Sequence, residues 1–160
     1  MTLKSFLPQV GLFRGLSEGE LAKLEGLCRT DSRGPGELIF KEGDKAEDVC
    51  VVMEGQAELR FELPGRDATD EHTMSVVPPG KAFGWSALVP PYELTLSVYA
   101  GDEGCRFFRM NGKRLNEFFE EHNRIGFVCF RNLTHVVAKR FHALEEECVS
   151  DKGRDVMHKW

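Results

Sequence analysis

Apolar positions along the chain fall into three zones with different periods. Near the start, Leu21, Leu24 and Leu27 recur at helical spacing behind a capping-box pattern, Ser17 followed by Glu20. That predicts a short helix over Ser17–Leu27, with Phe13 and Leu16 packing beside its first turn. From Cys28 to Met110 the period shortens. "ELIF", "DVCVVM", "QAELRFEL", "HTMSVV", "TLSVYA" and "CRFFRM" are short apolar or alternating runs, punctuated by "RGPG", "KEGDKAE", "EG", "PPG" and "GDEG". Strands at this spacing predict an antiparallel barrel or jelly roll, a mainly β architecture with flanking helices. Gly55 is expected in a tight connection between two strands, and "PGRDATDE", Pro64–Glu71, at the exposed tip of a longer hairpin.

After Met110 the helical period returns. Asn111 is placed to cap "GKRLNEFFEEH". A long helix is predicted from Arg124 to Val149, because Phe130, Leu133, Val137, Phe141, Leu144 and Cys148 advance by three or four residues as one stripe. A helix of about 25 residues is roughly 37 Å long, more than a small barrel can cover. The far half is therefore expected to lie against the same helix of a second copy, as a homodimer around a two-fold axis. The alternative is that the whole stripe packs on its own barrel. Residues 1–150 read as one domain ending in this dimer helix, and 151–160 as a polar tail expected to fray.

Charge narrows the partners. The 160 residues carry a formal net charge of −5, which disfavours nucleic acid and anionic membrane surfaces. No apolar run approaches the roughly 20 residues that cross a bilayer, and the N-terminus, broken by Pro8 and Gly11, makes a poor signal peptide. Cys28, Cys50, Cys105, Cys129 and Cys148 are odd in number and widely separated. Reduced thiols in a cytoplasmic protein fit better than a disulfide framework, and no metal or cofactor is expected. His135 and His142 lie seven apart on the long helix and could ligate haem across a dimer, but surface histidines are far commoner. Lys139, Arg140 and Arg131 read as a solvated basic face. No nucleophile–base or paired-carboxylate arrangement points to an enzyme.

The stretch "GKAFGWSALVPPYELTLSVYA", Gly80–Ala100, carries the candidate chemistry. One helical turn of small residues follows Gly84, and free N–H groups at such a turn can bind phosphate. Upstream, "LIFKEGDKAEDVCVVMEGQAEL", Leu38–Leu59, closely resembles the start of the cyclic-nucleotide-binding domain family, with Gly43, Asp44, Glu47, Gly55, Gly80, Phe83 and Gly84 as its most specific residues. The resemblance runs from about Phe13 to Cys148. It implies an N-terminal helix, an eight-stranded roll, a phosphate-binding cassette late in the roll and a long C-terminal helix. It also implies a ligand site at Phe83, Gly84, Trp85, Ser86, Ala87, Leu88, Leu94 and Thr95.

Two departures stand out within that resemblance. Family members that bind cyclic nucleotides typically carry Glu after Phe-Gly, for the ribose, and Arg before a Ser or Thr, for the phosphate. Here Trp85 and Leu94 occupy those places, and Glu93 adds a negative charge beside them. Losing a bidentate arginine–phosphate contact costs on the order of a hundredfold in affinity. What remains is main chain from Gly84 to Leu88 and the hydroxyls of Ser86 and Thr95. The second departure is that about a dozen residues follow Val149, too few for a DNA-reading helix-turn-helix, so direct DNA binding is not expected. Trp85 could stack on a planar ligand, though a core role is the commoner one. Two functions stay open. One is a sensor for a nucleotide or less anionic small molecule, signalling through the dimer helix to a partner protein. The other is a degenerate domain that binds no ligand and serves as a dimeric interaction module.

Overall fold

The computed structural model describes residues 2–65 and 69–157. Short helical segments lead the chain: α1 (Leu3–Phe6), two 3-10 turns (Leu7–Gln9 and Gly11–Phe13), and α2 (Glu18–Glu25). The capping box forms as the sequence predicts. Ser17 Oγ accepts from Glu20 N, and Glu20 Oε2 accepts from Ser17 N at 2.8 Å. Phe13 is buried and Leu16 packs beside it.

Six strands are present among the described residues, not eight. They are β1 (Arg29–Arg33), β2 (Leu38–Phe40), β3 (Asp48–Arg60), β4 (Thr73–Val77), β5 (Ala82–Phe83) and β6 (Ser97–Asn111). All pair antiparallel in one sheet of order β1-β6-β3-β4, with β2 also on β6 and β5 also on β3. The count differs because two pairs of expected runs are continuous. "DVCVVM" and "QAELR" make β3, and "SVYA" and "CRFFRM" make β6. Gly55 sits inside β3 rather than in a connection between strands. It and Gly104 of β6 adopt positive φ (72° and 81°) where the β3–β6 register shifts. A Cβ on Gly55 would stand 2.1 Å from the Gly104 carbonyl oxygen, so the kink needs glycine. The hairpin tip expected at Pro64–Glu71 lies partly outside the described residues.

Two apolar clusters back the sheet. Inside the roll, Cys50, Val52, Ala57, Leu59, Val77, Phe83, Val98, Ala100, Cys105 and Phe107 are buried together. On the helix side, Val49, Val51, Met53, Phe108 and Met110 meet Phe6, Leu7, Phe13, Leu24 and the C-terminal helices. Those are α3 (Gly112–Glu121), whose cap Asn111 Oδ1 accepts from Arg114 N at 3.1 Å, and α4 (Asn123–Met157). The helix expected to stop near Val149 continues to Met157, and residues 158–160 lie outside the described residues. Among the described residues no helix is long and apolar enough to cross a membrane.

The apolar stripe of α4 divides. Leu133, expected at the dimer face, is 6% exposed and belongs to the chain's own helix-side core, with Ile125, Val128 and Cys129. Asn132 Nδ2 donates to the carbonyls of Leu12 and Arg14, both at 2.9 Å, which fixes the helix's rotation. Phe130 is half-buried, whereas Val137, Phe141 and Leu144 are exposed.

Candidate functional site

The cassette is built on Gly84. Its φ is 71°, and a Cβ there would meet the Asp48 carbonyl oxygen at 2.6 Å and the Phe40 ring at 3.0 Å. A single 3-10 turn follows, Trp85–Leu88, closed by Ala87 N to Gly84 O at 3.1 Å. The N–H groups before that bond precede any intrahelical acceptor. The segment that leaves the turn is bonded to the acidic turn: Leu94 N donates to Asp44 O (2.9 Å), Gly43 N to Leu94 O (2.8 Å) and Ala46 N to Tyr92 O (2.8 Å).

The eight expected residues do not converge on one cavity. Phe83 points into the roll, between the rings of Phe40 (centroids 5.8 Å apart) and Phe107 (5.7 Å). Ala87, Leu88 and Leu94 face the other way and are buried in the helix-side core, with Trp85 half-buried against it. Leu94, at the position where the resemblance implies arginine, is 6% exposed. Ser86 is half-buried beside Gly84, and Thr95 is exposed. The backbone cradle is therefore brought together, and the two substituted side chains are withdrawn into core packing.

Two further features escaped the sequence reading. A groove of about 790 Å³ runs behind the cassette. It lies between the Lys45–Glu47 turn, Ala87 and Tyr92 on one side and Phe119, Phe127 and Phe130 of α3 and α4 on the other. Asn116 Nδ2 donates to Leu88 O at 3.1 Å, so α3 holds the cassette turn directly. Tyr92, on the groove wall, takes a positive φ of 58°, rare for a bulky residue. These pieces are distant in sequence, and the only local signal is the turn chemistry of "VPPYE".

The second is a polar network on the outer face of β3 and β6. Arg60 Nη2 donates to Glu58 Oε2 at 2.6 Å, Gln56 donates to Glu58 Oε1 at 3.0 Å, and the Arg60 guanidinium stacks 4.7 Å above the Tyr99 ring. Ser97 and Tyr99 hydroxyls donate to Glu62 Oε1 at 2.5 and 3.1 Å. The Arg60–Glu58 side chains are 10% and 11% exposed, and Arg60 Nε lacks a hydrogen-bond partner. Burial pushes the Glu58 carboxyl up, but hydrogen bonds from Arg60 and Gln56 outweigh it and hold the group below its usual range. The alternation Glu58-x-Arg60-x-Glu62 places these charges on one strand face. Elsewhere, Arg109 bridges Asp48 (2.5 Å) and Asp31 (3.1 Å). Burial raises the thiols of Cys28 and Cys129 to about 12 and that of Cys105 to about 11.

Comparison with known proteins places this geometry. A protein from Geobacter metallireducens described as a cyclic nucleotide-binding protein shares 30% identity and superposes with a TM-score of 0.73, covering 89% of this chain and 100% of that one. The catabolite activator protein of Thermus thermophilus superposes at 0.71 with 21% identity, over 86% of this chain and 61% of its own. A cGMP-dependent protein kinase of Caenorhabditis elegans is 28% identical over 109 residues, which is 68% of this chain and 14% of the kinase. The chain spans between 14% and 20% of the length of the curated relatives it matches. The sequence model of the cyclic nucleotide-binding domain covers residues 32–122. That segment holds the whole roll from Ser32, the Gly84 turn and α3, and on this match the chain belongs to the cyclic nucleotide-binding domain family, a regulatory domain type.

Proposed function

We propose that this domain is a non-enzymatic ligand-sensing module that has given up tight cyclic-nucleotide binding. It signals as a homodimer through α4 to a protein partner, in the cytoplasm. The observation that carries this is the fate of the two clamp positions: Leu94 is buried in the helix-side core and Trp85 is half-buried against it. Neither can supply a charge to the main-chain cradle at Gly84–Leu88, and Thr95 faces solvent. A less anionic or more apolar ligand suits such a cradle, and the groove between cassette and helices gives the turn room to shift against α3 and α4.

A specific observation favours a second reading, a domain that binds no ligand and acts as a dimeric interaction module. The rings of Phe40, Phe83 and Phe107 follow one another through the roll behind the cassette, in tilted and edge-on contact, and fill it with the chain's own side chains.

A thermal-shift and calorimetry panel separates the readings. Cyclic AMP and cyclic GMP at about 1 mM should move the Tm by no more than ~2 °C, the effect of a ligand near its Kd. A concentration-dependent rise with another nucleotide or an apolar carboxylate supports the sensor, and no rise with any compound supports the ligand-free module. Submicromolar affinity for either cyclic nucleotide overturns both.

A further inference from the structure

We infer that the chain holds a second ligand site, apart from the cassette, in which Arg29, Arg109 and Arg114 bind a small molecule through its oxyanion, a carboxylate or a phosphate ester. The three arginines come from three elements, β1, β6 and α3, and line one concave space of about 680 Å³. That volume is within the usual range for small-molecule sites. None of the cassette residues lines it, and Glu47 and Asn111, which also line the groove behind the cassette, form the border between the two.

For folding alone, these cations are badly placed. Arg29 stands directly opposite Arg109 in the β1–β6 register, a like-charge cross-strand pair. Arg114 is the third residue of α3, whose first turn also holds Lys113 and no acidic residue, so two cations oppose the helix dipole. The nearby carboxylates do not remove the excess. Asp48 Oδ2 is occupied by Arg109, from Nε at 2.9 Å and Nη2 at 2.5 Å, and Asp31 is divided between Arg109 at 3.1 Å and Arg33 at 2.8 Å. Those two arginines and two aspartates cancel. The side chains of Arg29 and Arg114 make no hydrogen bond or ion pair among the described residues. What is left in the lining is two arginines against one carboxylate, Glu47, a positive island on a chain whose net charge is −5. The main chain adds little, because Gly112 N already donates to Glu47 O at 2.8 Å and Arg114 N to Asn111 Oδ1 at 3.1 Å. The site is therefore one of side chains. Arg109 is fixed by its two carboxylates, and Arg29 and Arg114 are exposed and can close on an anion with planar forks that match a carboxylate or phosphate. Asp48 also gives the pocket and the cassette a common wall, since its carbonyl oxygen lies 2.6 Å from where a Cβ on Gly84 would stand.

The test is titration of the full chain, by calorimetry and thermal shift at fixed ionic strength, with glycerol 3-phosphate and with citrate. Glycerol is the uncharged control, and a hexaglutamate peptide is a fourth arm. At least one of the two anions should bind with a Kd below about 1 mM while glycerol does not, and the tighter of the two identifies the oxyanion. Arg29→Gln and Arg114→Gln should each weaken that binding about tenfold, and together about a hundredfold, because each removes a charge-assisted contact. Without ligand each variant should keep or raise the Tm, because it relieves a repulsion. Lys23→Gln, at a cation in the last turn of α2 outside the pocket, should leave the affinity unchanged. No binding of either anion up to about 10 mM overturns the inference. So does a loss with Lys23→Gln as large as that with Arg29→Gln, or binding of the peptide alone, which would make this a face for an acidic protein segment. Trp85 and Leu94 are untouched throughout, so the result stands or falls separately from the reading of the cassette.

Discussion

The cassette and the outer face of β3 and β6 lie on the same roll, yet they treat charge in opposite ways. Where the family resemblance implies a carboxylate and a guanidinium, the chain has Trp85 and Leu94, and both join an apolar cluster. On the outer face, where no ligand is implied, a guanidinium and a carboxylate are nine-tenths buried and hydrogen-bonded to each other. Charge at a binding cradle must wait, solvated, for its partner, whereas charge in a structural network brings its partner along. The same residue types therefore mean different things in the two places. Burial with fixed partners marks architecture, and the main-chain turn at Gly84 carries neither of the clamps that the resemblance implies.

Three measurements sharpen or break that contrast. Arg60→Ala strands the buried Glu58 carboxylate, so urea unfolding should show a loss of about 3–5 kcal/mol. Replacing both partners, Arg60→Met with Glu58→Leu, should restore stability to within about 1 kcal/mol. If Arg60→Ala loses no more than an exposed pair would, the network is not structural. Leu94→Ala removes a core side chain and should cost about 2–4 kcal/mol. A near-neutral result would mean that residue 94 is free to turn toward the cradle, against its placement in the core. The smallest effect is in acid. The Glu58 carboxyl titrates below its unfolded value of 4.5, so its contribution is complete above about pH 4.5 and is lost as pH falls through the lower folded value. Glu58→Gln should flatten the acid limb of the stability profile relative to wild type, and an unchanged limb would assign it to other carboxylates such as Asp31, which is also held low despite its burial by the Ser32 N–H and Arg33.

What could be read in advance was local. The caps at Ser17 and Asn111 depend on contacts three residues away, and both form. Strand β1, "RTDSR", went unseen because its side chains are all polar, and it exists through main-chain pairing with Arg109–Cys105. On α4 both 130-133-137 and 130-134-137 satisfy helical spacing, and long-range packing, with the bonds of Asn132 beside it, turns Leu133 into the chain's own core and leaves Thr134 exposed. The cassette shows the same boundary. Identity at positions 85 and 94 was plain in the sequence, but the placement of Leu94 depends on its segment binding Gly43–Ala46, some fifty residues away. The groove joins a turn, Tyr92 and two helices, and no single window of sequence contains it.

The meeting of Gly55 with Gly104 does more than bend two strands. Before it, even-numbered residues of β3 (Cys50, Val52) fill the roll, and after it odd-numbered ones do (Ala57, Leu59). On β6 the exchange is mirrored, from Val98 and Ala100 to Cys105 and Phe107. The inside–outside alternation is thus written in two frames, with the glycine contact as the point of frame change. It lets one strand lend an all-apolar stretch to two cores and then, a few residues later, carry Glu58 and Arg60 on the opposite side from Leu59. A deletion there would transpose interior and exterior for everything beyond it.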